Sequence, residues 1–208
     1  MTSTSLLHAT DLSFAYPERV LFKQLSLQLG AGVTIIRGGD GCGKTSLIRL
    51  LAGELPAQSG LLAINGVRLE QDATRYRQQV HYVDPRTQAF DQMTVPQYLA
   101  SVQAQFAGFD ATLVPGLLEG LSLLPHAEKK LFMLSTGSKR KVYLAGAFAA
   151  GALVNLLDDP FASLDRGSIN FVCTTLNEIS ARAKQVWVAS FYEMPTELAS
   201  IGSIDLGD

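Results

Sequence analysis

Hydrophobic and polar residues alternate through the N-terminal part of the chain, as they do in β-strands that bury one face. The alternation over residues 5–30 is interrupted at residues 16–19 and therefore predicts two strands joined by a loop. The apolar run at residues 33–36 is typical of a short buried strand, and residues 45–51 predict a helix. A glycine-rich segment lies between that strand and that helix.

The middle of the chain changes from strand to helix periodicity. Residues 61–69 predict a β-hairpin, because two apolar stretches flank the turn-forming dipeptide Asn65-Gly66. Residues 80–83 predict a further strand. From residue 95 to residue 124, apolar side chains recur at three- and four-residue spacing, which predicts helices.

The C-terminal third returns to alternating helices and strands. Its pattern predicts a helix from Val142, a strand at 153–157, a helix near 168–182 and a strand at 186–189, followed by a short tail. The elements together predict one α/β domain over residues 1–208. Its core, residues 1–85 and 141–208, is interrupted by a helical insertion at about 86–140.

The composition fits a compact domain and gives no reason to expect nucleic-acid binding. Of the 208 residues 47% are hydrophobic, enough to bury one core. The 17 basic and 19 acidic residues leave a formal charge of -2, so no basic excess attracts nucleic acid. The two cysteines, Cys42 and Cys173, are far apart in the sequence and fit a reducing compartment.

No stretch of the sequence predicts a targeting signal or a membrane span. Residues 1–5 lack the basic and apolar regions of a signal peptide. The longest uncharged stretch, residues 142–157, is shorter than the ~20 residues that a bilayer requires. We therefore expect a soluble, cytoplasmic chain whose association with a membrane depends on a partner.

The glycine-rich segment after the buried strand matches the P-loop pattern G-x-x-x-x-G-K-[ST]. Glycines let such a loop adopt positive φ and bring its N–H groups to phosphate oxygens, beside the positive end of the helix dipole. Lys44 is expected at the β- and γ-phosphates, and the Thr45 hydroxyl at Mg²⁺. The predicted nucleotide-binding residues of this segment are Gly38, Gly39, Asp40, Gly41, Cys42, Gly43, Lys44, Thr45 and Ser46.

Two acidic residues, Asp158 and Asp159, follow the predicted strand at 153–157 and complete the site. A carboxylate at the carboxyl end of a strand is a suitable Mg²⁺ ligand, directly or through water. The order of the two motifs predicts a nucleoside triphosphate site with Mg²⁺ held by Thr45 and Asp158. A glycine-rich turn and two unrelated solvated acids would be the alternative.

A third motif, Leu134-Ser135-Thr136-Gly137-Ser138, lies about twenty residues before the acidic pair. Here the chain resembles the ATP-binding subunits of ABC transporters, whose signature Leu-Ser-Gly-Gly-Gln stands just ahead of a helix. The resemblance covers residues 6–193, with the same order of motifs. In composition and length the chain is most similar to small bacterial exporter subunits of the haem-exporter type.

The resemblance implies a fold, a dimer that shares its ATP sites between two chains, and a separate permease. The fold is a P-loop NTPase core with an antiparallel β subdomain and an inserted helical subdomain. Two copies, or two homologous chains, would hold ATP between them, with Ser135, Thr136 and Gly137 serving the nucleotide of the partner. Tyr16 would stack on the adenine. Such a dimer drives a separate integral-membrane permease at the inner face of the cell membrane.

The basic run Lys139-Arg140-Lys141 follows the signature and has two interpretations. It is either a solvated basic turn or a group of cations that faces the triphosphate of the sandwiched site. Three cations at a helix start oppose the helix dipole by about 0.3–1 kcal/mol each.

Four positions depart from the family pattern. Asp159 replaces the Glu that orients the attacking water, and Phe191 replaces the switch histidine. Pro85 replaces the coupling glutamine, for which Asp84 or Gln88 could substitute. In the signature, Thr136 and Ser138 replace a glycine and the glutamine. We therefore predict intact ATP binding and slow hydrolysis, with Lys44 and Asp159 as the catalytic residues.

Three classes of function fit these observations. The first is a transport ATPase subunit that hydrolyses ATP slowly and drives a permease. The second is an ATP-dependent clamp or regulatory subunit with little turnover. The third is a soluble P-loop kinase, which would need an arginine-bearing lid and would leave the signature segment without a role.

Overall fold

The computed structural model describes residues 6–182, 184–191, 198 and 202–207. The strands in these residues are β1 (Leu7–Tyr16), β2 (Arg19–Leu29), β3 (Gly32–Arg37), β4 (Ser59–Ile64), β5 (Val67–Arg68), β6 (Val80–Tyr82), β7 (Val154–Asp158), β8 (Val186–Ser190) and β9 (Gly202–Asp205). The α-helices are α1 (Lys44–Leu51), α2 (Ala73–Arg77), α3 (Val95–Gln105), α4 (Val114–Gly120), α5 (Thr136–Ala150) and α6 (Arg166–Arg182). Short 3₁₀ turns lie at Ala111–Leu113, Leu124–His126 and Leu131–Met133.

The strands form two sheets of different kinds. An antiparallel sheet has the order β2-β1-β4-β5, and a parallel sheet has the order β6-β7-β8-β3-β9. In β2, exposed and buried positions interchange, as expected where one face meets water, whereas every residue of β8 is buried. The predicted α/β fold class, with an antiparallel β subdomain and inserted helices, is confirmed.

Helix α1 is held between the two sheets. Its side chains Leu47, Ile48 and Leu51 are fully buried in one core that also contains Leu62 of β4 and Val188 of β8. The opposite face of the parallel sheet packs against α3, α5 and α6 in a second core. Because both sheets fix α1, they also fix the loop that precedes it.

Helix α5 begins earlier than the periodicity predicts. The start at Val142 that the periodicity predicts is wrong, whereas the family resemblance implies a helix that begins near Ser135, and the helix runs from Thr136 to Ala150. Ser135 caps it, and its Oγ accepts the Ser138 N–H at 3.1 Å. The first turns are polar, so apolar spacing gives no sign of them.

The helical pattern at 95–124 is confirmed but divided. Helix α3 begins with a capping box between Thr94 and Gln97 and ends at Gln105. Gly108 and Gly151 bring two backbone segments so close that a Cβ on Gly151 would lie 2.0 Å from the Gly108 oxygen. This contact ties the loop after α3 to the end of α5.

Two elements were absent from the prediction. Helix α2 is five residues long and depends on a cap by Asp72, and β9 lies within the segment predicted as a tail. Strand β9 has one buried residue, Ile204, so its pattern carries little strand signal. Of the helices in the described residues, none combines the length and apolarity that a membrane crossing requires.

Candidate functional site

The P-loop connects the carboxyl end of β3 to the first turn of α1. Gly38 has a φ of 144°, and a Cβ there would lie 2.5 Å from Cys42 Sγ and 2.7 Å from the Gly207 oxygen. Gly43, the residue before α1, has a φ of 108°. Both positions therefore require glycine. The Gly39 N–H donates to the Gly207 carbonyl at 3.0 Å, so the chain after β9 braces the loop from behind.

Lys44 lies along the inside of the loop. Its Nζ donates to the carbonyl oxygens of Gly38 at 2.7 Å and Gly39 at 2.8 Å. Lys44 is also the first residue of α1, whose first N–H groups have no partner within the helix, and it lines the cavity above the loop. A bound phosphate would meet the lysine and these N–H groups together.

The two halves of the predicted site meet although 113 residues separate them. Thr45 Oγ1 donates to Asp158 Oδ1 at 3.1 Å. Ser190 Oγ donates to the same carboxylate oxygen at 2.9 Å, and it accepts the Asp159 N–H at 3.1 Å. Among the described residues no group of three or more His, Cys, Asp and Glu side chains could hold a metal. A hydroxyl and one carboxylate instead suit Mg²⁺ that keeps water and takes phosphate oxygens.

A cavity of 630 Å³ opens above the P-loop, large enough for a nucleotide. It is lined by Tyr16, Arg19, Leu21, Asp40, Gly41, Gly43, Lys44, Thr45, Ser46, Pro85, Arg86, Arg140, Asp158, Asp159, Ser190 and Phe191.

Tyr16 marks one end of this cavity. Its side chain is 43% exposed, and the edge-to-face contact with Phe14, at 4.9 Å between ring centroids, fixes the ring. Its hydroxyl lies 3.2 Å from Ser46 Oγ. An exposed aromatic ring held in this way offers a surface on which a base can stack.

Six of the predicted binding residues do not line this cavity. Gly38, Gly39 and Cys42 form the back of the loop, and the Cys42 side chain is buried. Ser135 and Thr136 are exposed at the start of α5. Gly137 is buried in its own chain. A Cβ at this position would lie 2.1 Å from the Ser163 oxygen.

Three of the positions that depart from the family pattern, Pro85, Asp159 and Phe191, line the cavity, whereas Thr136 and Ser138 of the signature do not. Phe191 is buried against Phe161, with ring centroids 4.8 Å apart, and Pro85 contributes to the lining. Asp84 and Gln88 do not line the cavity, and Asp84 Oδ1 accepts the Arg86 N–H at 2.9 Å. The cavity residue after Pro85 is Arg86.

The three basic residues after the signature have three different environments. Lys139 pairs with Asp91, and Lys141 is buried and pairs with Asp165. Arg140 lines the cavity of its own chain. The interpretation of this run as a solvated basic turn is therefore wrong.

Several residues that line the cavity were not predicted as site residues, among them Ser190, Arg19 and Arg86. Ser190 ends β8, beside β7, and carboxyl ends of parallel strands meet at one edge of a sheet. That rule is the signal by which it could have been found. Neither arginine belongs to a recognisable motif.

The histidines do not supply the missing switch residue, since none of the three lines the cavity. His81 is buried in β6, and burial lowers the pKa of its imidazole to about 4. It is therefore neutral near pH 7. Its ring packs against Phe106, with centroids 5.5 Å apart.

Comparison with known proteins gives matches along most of the chain. Residues 22–162 match the family model described as ABC transporter. Two cytochrome c biogenesis ATP-binding export proteins named CcmA, from Idiomarina loihiensis and Paramagnetospirillum magneticum, are each 34% identical to this chain. The first match covers 79% of this chain and 75% of the relative, and the second covers 88% and 87%.

Solved structures share the fold. An ATP-binding subunit of an ABC transporter superposes with a TM-score of 0.79 at 23% identity, over 90% of this chain and 80% of that one. The cbiO1 protein of Clostridium perfringens, part of the ABC transporter complex cbiONQ, superposes with a TM-score of 0.68 at 20% identity. That match covers 91% of this chain and 79% of cbiO1.

Proposed function

This chain belongs to the ABC transporter family as an ATP-binding subunit, and from that premise we propose that it hydrolyses ATP slowly in an ATP-sandwiched dimer that drives a membrane permease. The family predicted from the sequence is confirmed, and with it the binding of ATP. Because the chain belongs to this family, the third class of function, a soluble P-loop kinase, is excluded. The names of its relatives support an exporter subunit of the cytochrome c biogenesis type.

The observation that carries the proposal is the meeting of Thr45 and Asp158. Their oxygens lie 3.1 Å apart beside Lys44, at the floor of the 630 Å³ cavity. Mg²⁺ would be held by the Thr45 hydroxyl and, directly or through water, by Asp158. When bound, it would neutralise negative charge on the β- and γ-phosphates.

The chain's own groups would then act on the nucleotide. The Lys44 ammonium would exchange the two loop carbonyls for phosphate oxygens, and Tyr16 would stack on the base. Asp159 would orient the attacking water. Its carboxylate is one bond, about 1.5 Å, shorter than that of glutamate, and a misplacement of this order costs on the order of 10²-fold in rate.

The second candidate is an ATP-dependent clamp or regulatory subunit that binds ATP with little hydrolysis. One observation favours it. Phe191 and Pro85 occupy the cavity wall where the family has a histidine and a glutamine, and neither side chain can donate or accept a proton. Both candidates share the binding site and differ only in the rate of phosphate release.

If the chain is a transport ATPase subunit, its partner would be an integral-membrane permease. This permease would hold the chain at the inner face of the membrane. ATP-binding subunits of this family pair with such components, and the permease is the partner that would select the transported substrate. Ser135, Thr136 and Gly137 would serve the nucleotide of a second copy or of a homologous chain.

Removal of the P-loop lysine tests ATP binding directly. Lys44→Ala loses a charge-assisted contact to phosphate, so we expect affinity for MgATP to fall by about 10- to 100-fold in calorimetry. The matched control is Lys23→Ala, an exposed lysine of β2 away from the cavity, which should bind as the wild type does. Equal affinity of Lys44→Ala and wild type would refute the proposed site.

A further inference from the structure

Arg140 differs from the basic residues on either side of it. Lys139 and Lys141 each form an ion pair, with Asp91 and Asp165 respectively. Arg140 is half-buried and forms no ion pair with any carboxylate of the described residues. A partly buried cation without a direct ion-pair partner can still accept an anion from solution.

The guanidinium is anchored at one wall of the nucleotide cavity. Its Nη1 donates to the carbonyl oxygen of Ala162, the residue after Phe161, whose ring packs on Phe191. Its Nε is buried and has no hydrogen-bond partner in the described part of the chain. Of the five N–H donors of arginine, one is engaged and the Nε donor is buried, so the three other N–H groups, on Nη1 and Nη2, remain for a ligand.

The surroundings of Arg140 identify the end of the cavity at which it lies. Burial lowers the pKa of its guanidinium, and the charges of Asp159 and Asp158 act in the opposite direction. These two carboxylates belong to the proposed metal and water positions, which adjoin the terminal phosphate. The hydroxyl and the ring of Tyr16, at the proposed base position, contact Ser46 and Phe14.

We propose that Arg140 binds the terminal phosphate of the nucleotide held by its own chain, in place of the polar group that Phe191 lacks. The proposal rests on the proposed function of the cavity and adds a residue to it. The planar guanidinium can direct its remaining Nη donors to the oxygens of a phosphate, and the hydrogen bond to Ala162 holds the group at the cavity wall. The γ-phosphate would be the direct ion-pair partner that Arg140 lacks among the described residues.

The test compares a nucleotide that has the terminal phosphate with one that lacks it. Affinities of Arg140→Gln for the β,γ-imido analogue of ATP and for ADP are measured by calorimetry with Mg²⁺. We expect affinity for the triphosphate analogue to fall about 10- to 100-fold, and affinity for ADP to stay within about twofold. Arg140→Lys keeps the charge and should lose less. The matched control, Arg182→Gln on the exposed surface of α6, should change neither affinity.

Two results would overturn the inference. An equal loss for both nucleotides would give Arg140 a general electrostatic or structural role, and unchanged affinities would remove it from the site. Thermal unfolding without nucleotide checks that Arg140→Gln is folded, because this variant loses the hydrogen bond to Ala162. A marked fall in Tm together with an equal loss for both nucleotides would make the role of Arg140 structural.

The same measurements separate this inference from the proposed function. A wild-type protein that binds neither nucleotide would refute the ATP site altogether. A wild-type protein that binds both, with Arg140→Gln unable to distinguish them, would refute only the role of Arg140.

Discussion

Ser190 connects the two acidic residues of the site at the scale of single side chains. It donates to the Asp158 carboxylate at 2.9 Å and accepts the Asp159 backbone N–H at 3.1 Å. Asp159 has a φ of 46°, in the left-handed region that aspartate and asparagine enter more readily than glutamate does. The shortened carboxylate and the backbone conformation thus suit each other.

Loss of the charge on Asp159 should separate binding from hydrolysis. If this carboxylate orients the water, Asp159→Asn should lower steady-state phosphate release by at least about 10²-fold and leave ATP affinity nearly unchanged. Asp11→Asn is the matched control, because Asp11 is exposed on β1 and also has a positive φ, 50°. If Asp159→Asn released phosphate as fast as the wild type, the non-hydrolysing clamp would be the better account.

Substitutions that restore the residue types of the family should increase hydrolysis. Asp159→Glu should raise the rate, although a glutamate at this φ carries a backbone cost of about 1 kcal/mol. Combination with Phe191→His should exceed the product of the single effects, since both groups would act on one transition state. The readout is again steady-state phosphate release.

At the scale of elements, the start of α5 is packed onto the segment after β7. Gly137 allows this contact, because a Cβ there would lie 2.1 Å from the Ser163 oxygen, and Ser163 itself has a φ of 64°. Lys141, one turn further along α5, pairs with Asp165 just before α6. The signature segment and the segment that follows the acidic pair are therefore a single packed unit.

An alanine at Gly137 should disrupt that unit. The added methyl group meets backbone rather than a flexible side chain, so we expect Gly137→Ala to lower the free energy of unfolding by about 1–3 kcal/mol. Gly116 in α4 has open space around it, and Gly116→Ala should raise stability by about 0.5–1 kcal/mol. Urea unfolding of both variants gives the comparison, and equal stabilities would show that α5 tolerates a wider approach.

At the scale of the whole molecule, the proposed dimer would complete the nucleotide site of one chain with residues of another. The cavity has the P-loop, the carboxylates and Tyr16, whereas Ser135 and Thr136 are exposed at the N-terminus of α5 and do not line it. The α5 N–H groups beyond those satisfied by the cap are suited to an anion brought by another chain.

We expect the chain to be largely monomeric without nucleotide and to form dimers with ATP when hydrolysis is prevented. Light scattering on Asp159→Asn with MgATP should give about twice the monomer mass, because two triphosphates would bridge the protomers. ADP is the control and should leave the mass unchanged, since it lacks the bridging phosphate. An unchanged mass with ATP at high protein concentration would mean that a homologous partner is required.

The sequence alone determined the fold class, the family and the position of the P-loop. A P-loop consists of consecutive residues whose spacing and glycine content follow from phosphate contact, so Gly38 to Thr45 can be recognised without a structure. Asp158 was predictable for a similar reason, because an apolar strand leads directly into it. Long periodic elements such as α3 and α6 were predictable because their buried faces repeat.

Only the tertiary structure decided contacts between residues that are distant in the chain. Strand β9 was missed because one buried residue gives no periodic signal, although the residues after it brace the P-loop through Gly207. The partners of Lys139, Arg140 and Lys141 could not be read from three adjacent cations. Successive residues of a helix project about 100° apart, and the packing around α5 determines what each one meets.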